Sequence, residues 1–500
     1  MVLINPSCNQ AYRSPSLGML YIAAYLRQQG IPVNYLDCNY HPDWKERLNR
    51  LLNKYTMAGI TANVLSILPA LDVARYIRQN FPSVTVAMGG PYPSVEYEKL
   101  IPEFADVVVI GEGEETSLEI AQGIPREDIQ GIVYYKKNAE CGMRSAESGI
   151  ESSEFRVPSS EFRVQGSGLK RQDSESKNNN SKLRLNAPRS LISDLDRLPF
   201  PAWDMGDVKE YRLSHIRGFS FLPIMTSRGC PFRCIFCASK IIHRSRMRWR
   251  SIPNVIAETD EIYHRHGARE IHIWDDNFTL NPERTMELCD QIAERKYRGL
   301  HFAIPAGIKP DVGDEKLFRK MVRAGFYSVC IAVETGDQQI MNKLGKKVDL
   351  SKVKAVIKAA RRAGLYTNGF FMLGLPFDTE ETMERTIAFA CCLPLNQALF
   401  FITMPFPGTE LYEIALREGK FLYHVDDGYW DKGYFLGKAS YEMPGFSAAQ
   451  LERMYRRAYR RFFLRPTQML RLLRGRVHSV WDLFYIIQKA VRVILKGRQF

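Results

Sequence analysis

Short apolar runs alternate with helix-patterned segments along most of this chain, and most of the runs end in a turn of Gly, Pro, Ser or Asn. That alternation predicts parallel sheets with crossover helices, because two parallel strands cannot be joined by a tight turn. It occurs in two blocks. In residues 1 to about 135 the expected strands are Val2 to Asn5, Val33 to Leu36, Ala58 to Thr61, Val84 to Met88 and Asp106 to Ile110. Helices are expected over Leu17 to Gln29 and Ala70 to Gln79. Ligands of open parallel sheets bind at the carboxyl ends of the strands, so this block reads as a small Rossmann-like, doubly wound cofactor domain.

The second block starts at Phe219 with a longer repeat. Its expected strands are Phe221 to Thr226, Glu270 to Trp274, His301 to Pro305, Ser328 to Val333, Thr367 to Leu373 and Ala398 to Met404. Helices fill the gaps, for example Pro253 to His266, Pro282 to Arg295, Glu315 to Ala324, Leu350 to Ala363 and Thr379 to Cys391. Six such units predict a complete or partial parallel barrel with its site at the strand carboxyl ends. Polar and cysteine residues gather there, at Arg228 to Cys237, Asp275-Asp276-Asn277 and Glu334-Thr335-Gly336.

Between the blocks, residues 141 to about 190 are rich in Ser, Glu, Asn and Arg and contain a direct repeat, Ser152 to Val157 recurring as Ser159 to Val164. Such composition cannot bury enough apolar surface to offset its chain entropy. The expected organisation is therefore 1–137 cofactor domain, 138–190 linker or insertion, 191–408 barrel, and 409–500 a mainly helical C-terminal region. The net charge of +14 over 500 residues belongs mostly to that last region. From Glu452 to Phe500 there are 13 basic and 2 acidic residues, so this stretch carries +11 and the rest only +3. A nearly neutral body argues against a nucleic-acid-binding barrel mouth. The opening Met-Val-Leu-Ile-Asn-Pro lacks the pattern of a secretory signal and no run of about 18 apolar residues occurs, so a cytoplasmic location is expected.

Ten cysteines are too sparse for a disulfide framework, but three fall in one short window after the first barrel strand. Cys230-Pro-Phe-Arg-Cys234-Ile-Phe-Cys237 spaces them as C-x3-C-x2-C. Such a loop can fold three thiolates around one four-iron cluster and leave one iron open. The alternative, a structural zinc, would want a fourth close ligand, for which only His243 stands near. The spacing, the preceding strand and the aromatic Phe236 resemble the radical S-adenosylmethionine (SAM) superfamily. Thr226-Ser-Arg-Gly-Cys-Pro-Phe, Trp274-Asp-Asp-Asn-Phe-Thr, Ala332-Val-Glu-Thr-Gly, Phe370-Phe-Met-Leu-Gly-Leu-Pro and Pro405-Phe-Pro-Gly-Thr-Glu resemble its subgroup with an N-terminal cobalamin-binding domain. In that domain Leu3-Ile-Asn-Pro, Ser16-Leu-Gly-Met-Leu, Gly89-Gly-Pro and Gly111-Glu-Gly-Glu-Glu-Thr match the family pattern.

The resemblance implies an α/β chain with a cobalamin-binding domain, a partial (β/α)6 barrel and a small helical C-terminal region. It implies that Cys230, Cys234 and Cys237 hold a [4Fe-4S] cluster whose open iron binds SAM. Phe236 would pack near the adenine, Asp276 near the SAM amino group and Glu334 near the ribose; the Gly-Gly-Glu pattern of many relatives is absent. For Asp275 and Asp276 a strand-end turn, or the cap before Pro282, is the competing role. Cobalamin would rest on the backbone at Gly89, Gly90, Gly111 and Gly113 and on hydroxyls such as Thr61, without a histidine under the cobalt, because no D-x-H-x-x-G string occurs.

The implied chemistry is reductive cleavage of SAM to a 5′-deoxyadenosyl radical and cobalamin-dependent methyl transfer to an unactivated centre. The alternatives are an oxidative cyclisation or rearrangement of the magnesium-protoporphyrin monomethyl ester cyclase type, and a non-catalytic iron-sulfur electron carrier or nucleic-acid-binding protein. The implied partners are an electron donor such as flavodoxin or ferredoxin and a small, lipophilic substrate. Tyr412, Phe421, Tyr423, Tyr429, Trp430 and Tyr434 are expected either to line its pocket or to pack a domain junction. The second of two expected C-terminal helices, Gln450 to Phe463 and Ser479 to Lys496, is basic and amphipathic, suited to an anionic membrane surface or to packing its aromatic side on the barrel.

Overall fold

The computed structural model describes residues 1–8, 14–136, 182–206, 208–212, 217–218, 220–423 and 437–468. The first block forms β1 (Val2–Asn5), α1 (Leu17–Gln28), β2 (Asn34–Asp37), α2 (Trp44–Leu52), β3 (Met57–Thr61), α3 (Ile67–Asn80), β4 (Thr85–Gly89), the short α4 (Pro93–Glu96), β5 (Val107–Val109) and α5 (Glu114–Ala121). Strands β6 (Ile132–Tyr135) and β7 (Leu183–Leu185) complete a seven-stranded sheet in the order β2-β1-β3-β4-β5-β6-β7. The first five strands are parallel in the flavodoxin-like order, with the topological switch between β1 and β3. Strands β6 and β7 run antiparallel at the edge.

Strand β7 comes from the stretch expected to be linker. Three residues, with Leu185 largely exposed, give an edge strand too brief a pattern to read. Helix α2 was not expected either, because only Leu48 and Leu52 of its nine residues are buried.

The second block forms β8 (Phe221–Ile224), β9 (Ser227–Arg228), α6 (Ser239–His243), β10 (Arg248–Trp249), α7 (Ile252–His264), β11 (Glu270–Ile273), α8 (Pro282–Arg295), β12 (His301–Ile308), α9 (Glu315–Arg323), β13 (Phe326–Glu334), α10 (Gln338–Lys343), α11 (Leu350–Ala363), β14 (Tyr366–Leu373), α12 (Glu380–Cys392) and β15 (Gln397–Ile402). Six strands pair in parallel in the order β8-β11-β12-β13-β14-β15, each next to its neighbour in sequence, and β15 does not close onto β8. That is a partial barrel of six strands. Side chains of Asn281, Asp314, Asp349 and Thr379 accept from the first-turn amides of α8, α9, α11 and α12, which explains why these helices start where they do.

After the barrel come α13 (Glu410–Glu418), β16 (Lys420–Phe421), β17 (Tyr441–Glu442) and α14 (Ala448–Phe463). Helix α14 buries Leu451, Met454, Tyr455, Ala458, Tyr459, Phe462 and Phe463 and packs on α12, β14 and β15. Its Arg456, Arg457 and Arg461 stand outside, the last two paired with Glu384. The rings of Tyr412, Phe421 and the fully buried Tyr441 pack in series, tilted to one another, with centroids 5.4 and 6.2 Å apart, so this part of the aromatic set packs a junction. Tyr429, Trp430, Tyr434 and the helix expected at Ser479 to Lys496 lie outside the described residues. No helix among the described residues is long and apolar enough to cross a membrane.

The two blocks share a core. One continuous apolar cluster contains Leu17, Leu20 and Leu26 of α1 together with Phe221, Ile256, Ile271 and Phe302 of the barrel. The connecting segment clasps α1: Ala202 N donates to Leu20 O at 3.1 Å, and Arg27 pairs with Asp204 at 2.6 Å. From the other side, Met404 and Phe406 of the barrel pack into the core of the first block.

Candidate functional site

The loop carrying the three cysteines leaves β8 through the two-residue ribbon β9, which pairs with β10. Gly229 has φ +86, and a Cβ there would lie 2.1 Å from Arg246 O, so only glycine fits. The loop is braced from two sides: Ile235 N donates to Leu344 O at 3.1 Å, and Leu411 N donates to Ile235 O at 2.9 Å. Leu411 lies in the first turn of α13, started by the Thr409 cap, so the Pro405-Phe-Pro-Gly-Thr-Glu stretch holds the cysteine loop against the N-terminal block. Burial pushes the Cys234 thiol up to about 12, with Cys237 and Cys230 adding to the rise; it pushes Cys237 to about 11 and raises Cys230. Lys346 opposes the rise in all three, so the three sulfurs and this ammonium share one electrostatic neighbourhood.

Among the described residues no three His, Cys, Asp or Glu side chains converge on a single ion position. Thiols that each bind a different iron of one cluster need not converge in that way, whereas zinc ligands must. His243 is also turned elsewhere, its Nδ1 lying 3.2 Å from an Arg248 nitrogen and 3.6 Å from Glu112. Three thiols on one short loop are a donor set that fits a four-iron cluster, and the nearest candidate for a fourth zinc ligand is engaged by Arg248 and Glu112.

The acidic strand ends divide in role. Asp275 is buried and accepts three hydrogen bonds of 2.6 Å, from Thr226 N, Thr226 Oγ1 and Ser227 Oγ, which tie β11 to the start of the cysteine loop. It is the strand-end anchor. Asp276 is exposed and accepts from Gly229 N at 3.1 Å and Ser239 Oγ at 2.9 Å, at the rim of the cysteine loop. Glu334 ends β13 at φ +67, a conformation that strains a non-glycine residue, and its charge acts on the Cys234 thiol. Lys346 Nζ donates to Glu334 Oε1 at 2.6 Å and to Ala332 O at 2.5 Å. Phe236 is half-buried against the shared core. Nothing in the sequence reading drew attention to Lys346; its signal was a lysine in the barrel block three residues past α10, next to Gly345 with φ +70.

A cavity of about 470 Å³ opens between the carboxyl edge of the first sheet and the barrel. All five residues expected to cradle cobalamin line it: Thr61, Gly89, Gly90, Gly111 and Gly113. Asn5, Cys8, Gly18 and Asn39 extend this wall, and Met225, Arg228, His243 and Trp274 form the barrel side. At Gly18 a Cβ would meet nothing within 4 Å, and at Gly111 only Ile242 O at 4.0 Å, so bare backbone faces the open space. Gly90, at φ +107, is needed for a different reason, since a Cβ there would strike Ala62 O at 2.6 Å. This is a backbone-lined cradle of the kind a bulky ligand held without a side-chain metal ligand requires.

Glu112 and Glu114, which flank Gly113, also line the cavity and reach across the domain seam. Arg228 donates to Glu112 Oε1 at 3.1 Å and to Glu114 Oε1 at 2.6 Å, and its guanidinium lies 5.1 Å from the Tyr21 ring centroid. Arg248 donates to both Glu112 oxygens at 2.8 and 2.9 Å. Burial alone would raise Glu112, but His243, Arg248 and Arg228 hold it well below the usual carboxylate range. Sequence reasoning gave the glycines of Gly111-Glu-Gly-Glu a cofactor role and passed over the two glutamates between and after them. A pair of acids in one block and two buried arginines in the other carries no spacing that links them.

Comparison with known proteins agrees with this geometry. The family model described as the radical SAM superfamily matches residues 224–390, and the model described as the B12 binding domain matches residues 9–121. The chain is 28% identical to an uncharacterized methyltransferase of Pyrococcus horikoshii, over 96% of this chain and 94% of that protein. It is 32% identical to the cytidylyl-2-hydroxyethylphosphonate methyltransferase of Streptomyces wedmorensis, over 46% of this chain and 45% of that protein. Among solved structures, it resembles the radical SAM methyltransferase TsrM of Kitasatospora setae with cobalamin and a [4Fe-4S] cluster bound, at TM-score 0.66 and 16% identity, over 94% of this chain and 90% of that one. It resembles the cobalamin-dependent radical enzyme OxsB with aqua-cobalamin and SAM bound at TM-score 0.67 and 14% identity, over 99% of this chain and 71% of that one. These two likenesses establish the fold.

Proposed function

We propose, from the premise that the chain belongs to the radical SAM superfamily and carries a B12-binding domain ahead of its barrel, that it transfers a methyl group from SAM to an unactivated carbon or phosphorus centre. The observation that carries this reading is the shared cavity. Its walls are the glycine loops of the first sheet and the barrel residues Met225, Arg228 and Trp274, and Arg228 lies two residues before Cys230. A corrinoid held there would stand beside the cluster loop, with both opening toward one substrate. A binding module would have no use for two cofactor sites in such proximity.

When bound, the cluster and SAM supply the radical that activates a strong bond, and cobalamin supplies the methyl group. The chain's own residues bind and orient. Cys230, Cys234 and Cys237 hold the cluster, and the brace from Leu344 and Leu411 fixes their loop. Asp276 at the loop's rim would accept from the SAM amino group, Phe236 would pack near the adenine and Glu334 would accept from the ribose; the exposure of Asp276 and its bond from Gly229 N support the first of these roles. Lys346 sets the direction of the Glu334 carboxylate and lends positive potential to the thiolates. Thr61, Gly89, Gly90, Gly111 and Gly113 support the corrinoid through backbone and hydroxyl contacts. A flavodoxin- or ferredoxin-type donor would supply the electron, and the substrate would be a small lipophilic molecule.

The test needs no substrate. Anaerobically reconstituted protein is given hydroxocobalamin, a low-potential reductant and SAM with a labelled methyl group. Formation of labelled methylcobalamin with S-adenosylhomocysteine is the expected result. 5′-Deoxyadenosine as the sole SAM product would point away from methyl transfer, and neither product with an intact cluster would refute the methyl-transfer reading.

A further inference from the structure

The ionic cluster at the domain seam does more than join two surfaces. Arg228 is buried, with its side chain 6% exposed, and bridges two carboxylates that both line the corrinoid cavity. Two carboxylates and two guanidinium groups, those of Arg228 and Arg248, balance in charge, so the cluster is neutral without any ligand. Glu112 and Glu114 flank Gly113, where a Cβ would lie 2.9 Å from Ile22 of α1, so the loop that carries them is tightly seated.

On the barrel side the path is one of covalent bonds. Arg228 is followed by Gly229 and then Cys230, the first thiol of the cluster loop. There is little slack in that link: Gly229 N is tied to Asp276, and the space beside its Cα is so filled that an added Cβ would lie 2.1 Å from Arg246 O. A close-packed segment of this kind transmits a displacement instead of absorbing it. The same Asp276 carboxylate that receives Gly229 N stands at the expected SAM amino position.

We propose that Arg228 is a positioning residue that couples occupancy of the corrinoid cavity to occupancy of the SAM site on the cluster loop. The proposal rests on the reading of the two cofactor sites given above. A ligand pressing on the loop from Gly111 to Glu114 moves the acceptors of Arg228, and Arg228 carries that shift into Gly229 and Cys230. The coupling is reciprocal by thermodynamic necessity, so SAM alters corrinoid affinity by the factor by which corrinoid alters SAM affinity. Arginine is required because its planar fork serves two carboxylates at once, whereas a lysine ammonium is a single point charge.

The experiment uses full-length, cluster-reconstituted protein, with SAM binding measured by equilibrium dialysis with and without saturating hydroxocobalamin, and the converse titration. The expected wild-type result is a change in each dissociation constant of about fivefold or more, equal in both directions. In Arg228→Lys that factor falls to about one while iron content is retained; because Arg228 also lines the corrinoid cavity, the readout is the ratio of each dissociation constant with and without the second ligand, not either constant alone. Glu114→Gln, which keeps size and a hydrogen-bond acceptor, is the second variant and gives the same loss if the lysine is not tolerated. Wild-type protein that binds both ligands with no mutual effect overturns the coupling and leaves the functional reading standing. Wild-type coupling retained in the variants overturns the role of Arg228, and failure to bind hydroxocobalamin at all overturns both the proposal and the cofactor reading beneath it.

Discussion

Gly229→Ala places a methyl group where the chain has no room. Two costs combine. An L residue at φ +86 pays about 1–2 kcal/mol for a left-handed backbone. The new Cβ would lie 2.1 Å from a backbone oxygen, Arg246 O, which cannot rotate away as a side chain would. Forcing an extra methyl into a packed site costs about 1–3 kcal/mol, so the sum is about 2–5 kcal/mol. Relief can come only from shifting the Arg246 turn or the cysteine loop, and the second displaces Cys230. The matched control is Gly30→Ala, also left-handed at φ +75 but with nothing within 4 Å of the added carbon, which should lose only the conformational part. Urea unfolding of both variants gives the stabilities, and iron content with visible absorption reports the cluster. Gly229→Ala should be the less stable by at least about 1 kcal/mol and should bind substoichiometric iron. Equal stabilities, or a full cluster in Gly229→Ala, would refute the account of why glycine stands there.

Cys234→Ala should abolish the brown chromophore of the reconstituted protein, as should replacement of Cys230 or Cys237, whereas Cys289→Ala, deep in the core at α8, should keep it. Replacing residues 137–181 by a two-residue Asn-Gly turn should leave the urea midpoint within about 1 kcal/mol of wild type, because Lys136 N already meets Lys182 O at 2.8 Å where β6 passes to β7. Burial raises the carboxyl of Asp378 to about 6 from 3.8 despite bonds from Leu375 N and Thr382 Oγ1. A folded-state value above the unfolded one gives stability that is complete below about pH 4 and lost as pH rises through about 6, amounting to about 3 kcal/mol. Glu112, held low, works in the opposite direction and loses its contribution as pH falls below its unfolded value near 4.5. The difference in urea stability between wild type and Asp378→Asn, followed from pH 4 to 7, isolates the Asp378 part. Vesicle sedimentation of the chain with and without residues 476–500 tests the membrane contact expected of the basic terminus, and equal weak binding by both would dismiss it.

The alternation of apolar runs foretold both sheets because parallel strands buried on both faces leave a strong local signal. All eleven expected strands occur, since each is short, apolar and ended by a turn. What escaped notice was mostly weak in apolar content, as in α2, with two buried leucines, and β7, a short strand half open to water; β6 was missed although Ile132, Val133 and Tyr134 are buried, because it pairs antiparallel at the edge, outside the strand-helix alternation. The cysteine loop was legible because its chemistry is written in consecutive positions. The partners of that loop were not. Lys346 is linked to Glu334 across twelve residues and Arg228 to Glu114 across more than a hundred, so only the fold brings these charges together. Asp275 and Asp276 could not be told apart from their neighbours in sequence either. They follow the end of β11 by two and three residues, and the chain there turns one side chain into the interior and the next to the rim.

The apolar cluster shared by α1 and the barrel bears on how a cofactor gets in. Parting the two blocks would strip water-excluded contacts from Leu17, Leu20 and Leu26 and break the Arg228 and Arg248 pairs together. Full burial of a leucine is worth about 1.5–3 kcal/mol, so three of them and two buried ion pairs set an opening cost that thermal motion seldom meets. A corrinoid is thus expected to enter through the open mouth of the cavity and not by separation of the two blocks, so that folded apoprotein loads without losing the contacts between α1 and the barrel.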